Sequence, residues 1–143
     1  MSLFRSAGHR PVTEMRAHAV LTRLAAARLR ERGATRVFAE APGERAPATL
    51  AGLGGFPDAR PDATGRLAAH RLVLVEVETC GSLEHHHVPA EWGLFRARAD
   101  AGGGLFVVVV PERCGETPGE GAARARAAAL GIGLDEVWTF AVD

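Results

Sequence analysis

Three carboxylates stand at spacings that could bring them together: Asp62, Glu76 and Glu78. Residues 71–79 form an apolar strand pattern that acquires two acids near its end. Strand side chains alternate between faces, so Leu72, Leu74, Glu76 and Glu78 share one face while Val73, Val75 and Val77 line the other. Both faces are greasy at the start, which is the pattern of a central strand covered on both sides. Two like charges on one face of such a strand are unfavourable unless a cation or hydrogen-bond donors collect there. Chemistry is expected at this strand end.

The preceding residues supply the third acid. Residues 57–67 read as a strand entered through Pro57 and Pro61, and Ala68–His70 as a three-residue hairpin connection. In that register Leu67 opposes Arg71, Asp62 opposes Glu76 and Glu78 opposes Arg60, with Asp58 and Cys80 beyond the ladder. Directly opposed side chains have Cβ atoms about 4.5–5.5 Å apart. Asp62, Glu76 and Glu78 are thereby expected to converge on one divalent ion. A slip of one residue would carry Asp62 to the other face.

The remaining elements must hold this hairpin. Residues 14–32 predict a helix with a stripe of Val20, Leu21, Leu24, Ala25 and Leu29, with Thr13 as N-cap and Gly33 as stop. Glu14 falls in its first turn, in line with Ala17, Leu21 and Ala25; it is either an acid favoured by the helix dipole or a member of the site. Thr35–Ala41 predicts a strand, and residues 42–56 a surface loop rich in Pro, Gly and Ala. After a loop at 80–88, Pro89 opens a helix carrying Trp92, Phe95 and Ala99 on one face, ended by the glycines at 102–104. Residues 105–110 predict a buried strand stopped by Pro111. Thr117 and Glu120 form a capping-box pattern opening a helix that ends near Gly131, and residues 135–142 alternate as a last strand. The order αβββαβαβ predicts an α/β fold, a mixed central sheet flanked by helices, in a single domain spanning residues 1–143.

Composition narrows the function. All 17 basic residues are Arg, and Lys, Asn, Gln and Tyr are absent. The formal charge of zero is unevenly spread: residues 1–36 hold eight Arg and two acids, the remainder nine Arg and fifteen acids. A basic first helix beside an acidic remainder fits either a solvated helix or a surface for a polyanion near a pocket for cations. No apolar run is long enough to cross a bilayer and the start lacks a secretory pattern, so a cytoplasmic protein is expected. Cys80 and Cys114 show no paired spacing, and neither a disulfide framework nor a zinc ribbon is predicted. His85, His86 and His87 suggest an exposed loop, with phosphate contact or zinc as lesser readings. The glycines at 115–121 lack the Lys of a phosphate-binding loop, and with aromatics at 6% no stacking platform for single strands is expected.

Pro61-Asp62 on the second strand, with Glu76-Val77-Glu78 on the third inside this element order, resembles the PD-(D/E)xK nuclease superfamily, of restriction-endonuclease-like fold. The resemblance runs from the first helix to the last strand, and the segments around Glu91-Trp92, Phe106–Pro111 and Glu136–Thr139 are similar to small bacterial members. It implies a Mg²⁺- or Mn²⁺-dependent endonuclease that hydrolyses DNA phosphodiester bonds. In it Asp62 and Glu76 bind the metal, and Glu78, standing where such enzymes usually carry Lys, binds metal or accepts a proton. Glu14 matches a helical glutamate ligand of some members. Arg16, Arg23 and Arg30 of the first helix would hold DNA phosphates, and a homodimer or a larger defence or repair complex would supply specificity. The alternative is a catalytically inactive nuclease-fold module that binds nucleic acid or protein.

Overall fold

The computed structural model describes residues 12–142. Strands β1 (Thr35–Ala39), β2 (Ala63–Arg66), β3 (Leu72–Val77), β4 (Leu105–Pro111) and β7 (Glu136–Phe140) form a mixed sheet in the order β1-β2-β3-β4-β7. The first three are antiparallel, whereas β4 runs parallel to β3 and β7 parallel to β4. Antiparallel neighbours need only short turns; the two parallel steps need crossovers, which α2 (Val88–Gly102) and α3 (Gly119–Leu130) provide. The α/β expectation holds at this level.

The two-sided burial expected of β3 is present. On one face, α1 (Val12–Glu31) packs Leu21, Ala25, Ala26 and Leu29 against Val73, Val75, Val77, Val107, Val109 and Trp138. On the other, Trp92, Phe95 and Ala99 of α2 and Ala123 and Ala127 of α3 cover Leu74, Phe106, Val108 and Val110. Each large apolar side chain so enclosed contributes about 1.5–3 kcal/mol. Among the described residues no helix is long and apolar enough to cross a membrane.

The buried stripe of α1 is rotated from the expected one. Val20 is 36% exposed, while Thr22 is fully buried in its place. The Thr22 hydroxyl tolerates this because it donates to the His18 carbonyl one turn back, at 2.8 Å. Thr13 lies inside the helix rather than capping it, because the helix already includes Val12. Gly33, at φ +84°, stops it as expected.

Strand β2 is shorter than the sequence suggests, because residues 57–62 leave the ladder. The predicted capping box at Thr117 does not form: Thr117–Pro118 is a two-residue strand (β6) paired with Arg113–Cys114 (β5), and α3 starts without a side-chain cap. This hairpin also corrects the reading of the cysteines. Cys114 on β5 meets Cys80 just past β3, their Cα atoms 5.5 Å apart, in a disulfide that crosses 34 positions of sequence. Spacing could not reveal it, since only the return of β4 alongside β3 brings the two together.

Candidate metal centre

The β2–β3 register is the one that the three-residue connection predicts: Ala63 faces Val75, Thr64 faces Leu74 and Arg66 faces Leu72, with Ala68–His70 as the turn. Extending it places Asp62 beside Glu76. Pro61 has no N–H to offer, and the ladder ends there. Asp62 makes the last contacts: its backbone N–H donates to the Val75 carbonyl at 3.0 Å, and its side-chain Oδ2 accepts the Val77 N–H at 2.7 Å. The carboxylate thus replaces a strand carbonyl and is fixed to β3. Its other oxygen, Oδ1, lies 3.2 Å from Nε2 of His18 on α1.

Glu76 is 5% exposed, and its buried Oε1 has no hydrogen-bond partner among the described residues. Burial raises its pKa well above the usual carboxylate range, and the charges of Asp62 and Glu78 and the carboxyl of Glu91 push it further up. For Asp62, burial alone would raise the pKa. Hydrogen bonding to His18 and its charge, then hydrogen bonds from Glu76 and the Val77 N–H, outweigh that and hold it below the usual range. One carboxyl is thus pushed toward its protonated form beside another held toward its charged form, and no Arg pairs with either among the described residues.

Glu78 is fully buried and fully occupied. Its Oε1 accepts the Ser82 hydroxyl at 2.5 Å and its Oε2 accepts the Trp92 indole N–H at 3.1 Å. The Ser82 hydroxyl also accepts the Thr79 N–H, which closes the turn after β3. Glu78 does not face Arg60, as the extended register would have it; Arg60 lies outside the ladder and pairs with Glu40 at 2.6 Å. Glu14 sits on the α1 side, where its Oε1 accepts the Thr79 hydroxyl at 3.1 Å and its carboxylate fills the space above Gly81. Any side chain at Gly81 would displace it.

The structure brings in residues that the sequence reading left out. His18 stands one turn after Glu14 on α1, and Glu91 one turn after His87 on α2. Nε2 of His87 lies 3.7 Å from Glu78 Oε1 and 3.9 Å from Glu91 Oε1. Both His–Glu pairs have i,i+4 spacing, and the two acids, Glu14 and Glu91, lie in the first turns of α1 and α2, where the partial positive charge of the N-terminus favours them. That spacing was the available signal. Trp92, expected to be core only, is core with one polar task.

The predicted phosphate-holding arginines differ among themselves. Arg16 and Arg23 are exposed on α1. Arg30 makes two hydrogen bonds to Glu44, at 3.0 and 2.6 Å, so its charge is already balanced.

Hard carboxylate oxygens, one of them buried without a donor, fit a divalent cation such as Mg²⁺ or Mn²⁺. Among the described residues no three His, Cys, Asp or Glu side chains are drawn together in a metal-holding shell. Compared with known proteins, the chain matches no family profile, and no curated protein or solved structure shows significant similarity to it.

Proposed function

We propose that the protein is a Mg²⁺- or Mn²⁺-dependent endonuclease that hydrolyses DNA phosphodiester bonds, built as a variant of the PD-(D/E)xK superfamily. The observation that carries this reading is the buried, donorless Glu76 Oε1 beside the carboxylate of Asp62. Leaving a buried polar atom unmatched costs about 1–3 kcal/mol, and more when it is charged. In this reading a bound cation offsets that cost by giving the oxygen a partner. The element order supports the same reading, with the Pro-Asp pair just ahead of β2 and the acidic doublet at the end of β3.

In this proposal Asp62 and Glu76 hold the cation. A divalent ion there supplies Lewis acidity toward a phosphodiester and a water of lowered pKa. The Val77 N–H and His18 orient Asp62, so that its carboxylate keeps a single direction. Glu78 seats Trp92 and Ser82 and thereby shapes the turn that follows β3. Arg16 and Arg23 present positive charge to DNA phosphates from the exposed side of α1. The proposal includes a cytoplasmic setting, although a disulfide such as Cys80–Cys114 is commoner in oxidising compartments, and specificity drawn from a second copy or a larger defence or repair complex.

A supercoiled-plasmid nicking assay tests the reading. Wild-type protein is expected to nick with Mg²⁺ or Mn²⁺, and Asp62→Asn and Glu76→Gln to lose at least about a hundredfold in rate, as removal of a transition-state stabiliser does. Undiminished nicking by either variant would remove the assignment.

Two observations favour the inactive binding module as a second reading: both oxygens of Glu78 are committed to the protein, and no Lys exists to take the usual third place. Calorimetry separates the two. The module predicts no Mg²⁺ or Mn²⁺ binding at millimolar concentration, the nuclease saturable binding.

A further inference from the structure

Sequence spacing gives the third ligand place to Glu78, yet the buried surroundings of that residue argue against it. Both oxygens of Asp62 are engaged too, but its side chain is 16% exposed and that of its partner His18 is 18% exposed, so that pair can yield to a cation. Moving a Glu78 oxygen would instead strip the acceptor from the Ser82 hydroxyl or the Trp92 N–H in a fully buried place. Glu91 is differently placed. Its side chain is 34% exposed, it lies in the first turn of α2, and its carboxyl lies close enough to Glu76 to act on it both by charge and by hydrogen bonding. His87, four residues earlier, reaches toward both Glu91 and Glu78 with Nε2.

We infer that Glu91 and His87 are further ligands of the cation held by Asp62 and Glu76, and that the imidazole turns the site toward Mn²⁺ over Mg²⁺. This rests on the cation site proposed above. The unpartnered Glu76 Oε1, buried on the face that β3 turns to α2, is the independent sign that a ligand belongs there. The acids alone would not mark the place. His87, the N-cap of α2, and Glu91 in its first turn stand four residues apart on the same partly exposed rim, with His87 Nε2 facing Glu91 while its Nδ1 lies 3.3 Å from His85 Nδ1. Glu78 then acts as a positioning residue: its acceptors hold the Thr79–Ser82 turn and the Trp92 ring against which the first turn of α2 is set. Nitrogen donors suit Mn²⁺ and later transition ions better than Mg²⁺, which prefers oxygen and water.

The test is a titration of the full chain with Mn²⁺ alone and with Mg²⁺ alone, without DNA, followed by calorimetry. Glu91→Gln is expected to weaken Mn²⁺ binding by about tenfold or more, a loss of the size that removing one ligand or its support brings. His87→Ala is expected to weaken Mn²⁺ by a similar factor and to leave Mg²⁺ within about threefold, since the nitrogen serves only the softer ion. Glu91→Asp keeps the charge one methylene short and reports the same loss should the amide variant unfold. Wild-type Mn²⁺ affinity in both Glu91→Gln and His87→Ala, with binding abolished in Asp62→Asn, would overturn this ligand set and leave the Asp62–Glu76 site standing. Absence of any Mn²⁺ binding by the wild-type protein would overturn both.

Discussion

Glu76 is the residue on which the site turns, because its buried Oε1 has no hydrogen-bond partner among the described residues. Its pKa is raised in the folded state by burial and then by Asp62 and Glu78, so the native protein keeps a proton there that the unfolded chain has released. Native-state proton excess makes stability fall as pH rises from the unfolded carboxylate range through the raised folded value. Asp62 has the opposite sign: its lowered pKa gives stability that is present above the unfolded range and lost as pH falls through the folded value. Without metal, Glu76→Gln is therefore expected to be more stable than wild type at pH 8 by about 1–3 kcal/mol, the scale of a relieved buried mismatch. The gain should shrink toward pH 5. Urea denaturation at the two pH values measures it, and an equal or lower stability at pH 8 would mean that Glu76 is already matched. Removing the indole donor by Trp92→Phe should do the reverse, costing about 1–3 kcal/mol by leaving Glu78 one bond short in a fully buried place.

At the scale of elements, the hairpin was the most legible feature. A three-residue turn leaves one register, the apolar alternation of residues 72–77 agrees with it, and Asp62 falls beside Glu76. What the sequence did not disclose is how each acid is used, since that depends on donors supplied from far along the chain. Ser82 and Trp92 claim Glu78, Thr79 claims Glu14 and His18 claims Asp62. Periodicity also misjudged α1, where a threonine replaces Val20 in the core by bonding to its own helix backbone. The capping box at Thr117 lost to strand pairing with residues 113–114, a competition that a local pattern cannot weigh. Helix α1 holds one whole face of the sheet, so Leu21→Ala is expected to cost about 2–5 kcal/mol in chemical denaturation, as cavities in close-packed cores do. A loss under about 1 kcal/mol would mean that α1 is only loosely docked on the sheet.

At the scale of the whole molecule, the Cys80–Cys114 bond ties the turn behind the acids to the hairpin after β4. Closing a loop of 34 positions restrains the unfolded chain by about 4 kcal/mol. Cys114→Ser, or addition of reductant, is expected to lower unfolding stability by about 2–4 kcal/mol, and equal stability with and without reductant would show the bond to be absent in solution. The acids themselves lie where three elements meet: α1 brings Glu14 and His18, the β2–β3 hairpin brings Asp62, Glu76 and Glu78, and α2 brings His87 and Glu91. The partial positive charge of two helix N-termini favours the acids at that strand end, and the acids in turn are what a cation would be held by. Crystals soaked in Mn²⁺ and measured at its absorption edge examine it most directly. An anomalous peak between the Asp62 and Glu76 carboxylates is the predicted result; a saturating soak that leaves that position empty would contradict it.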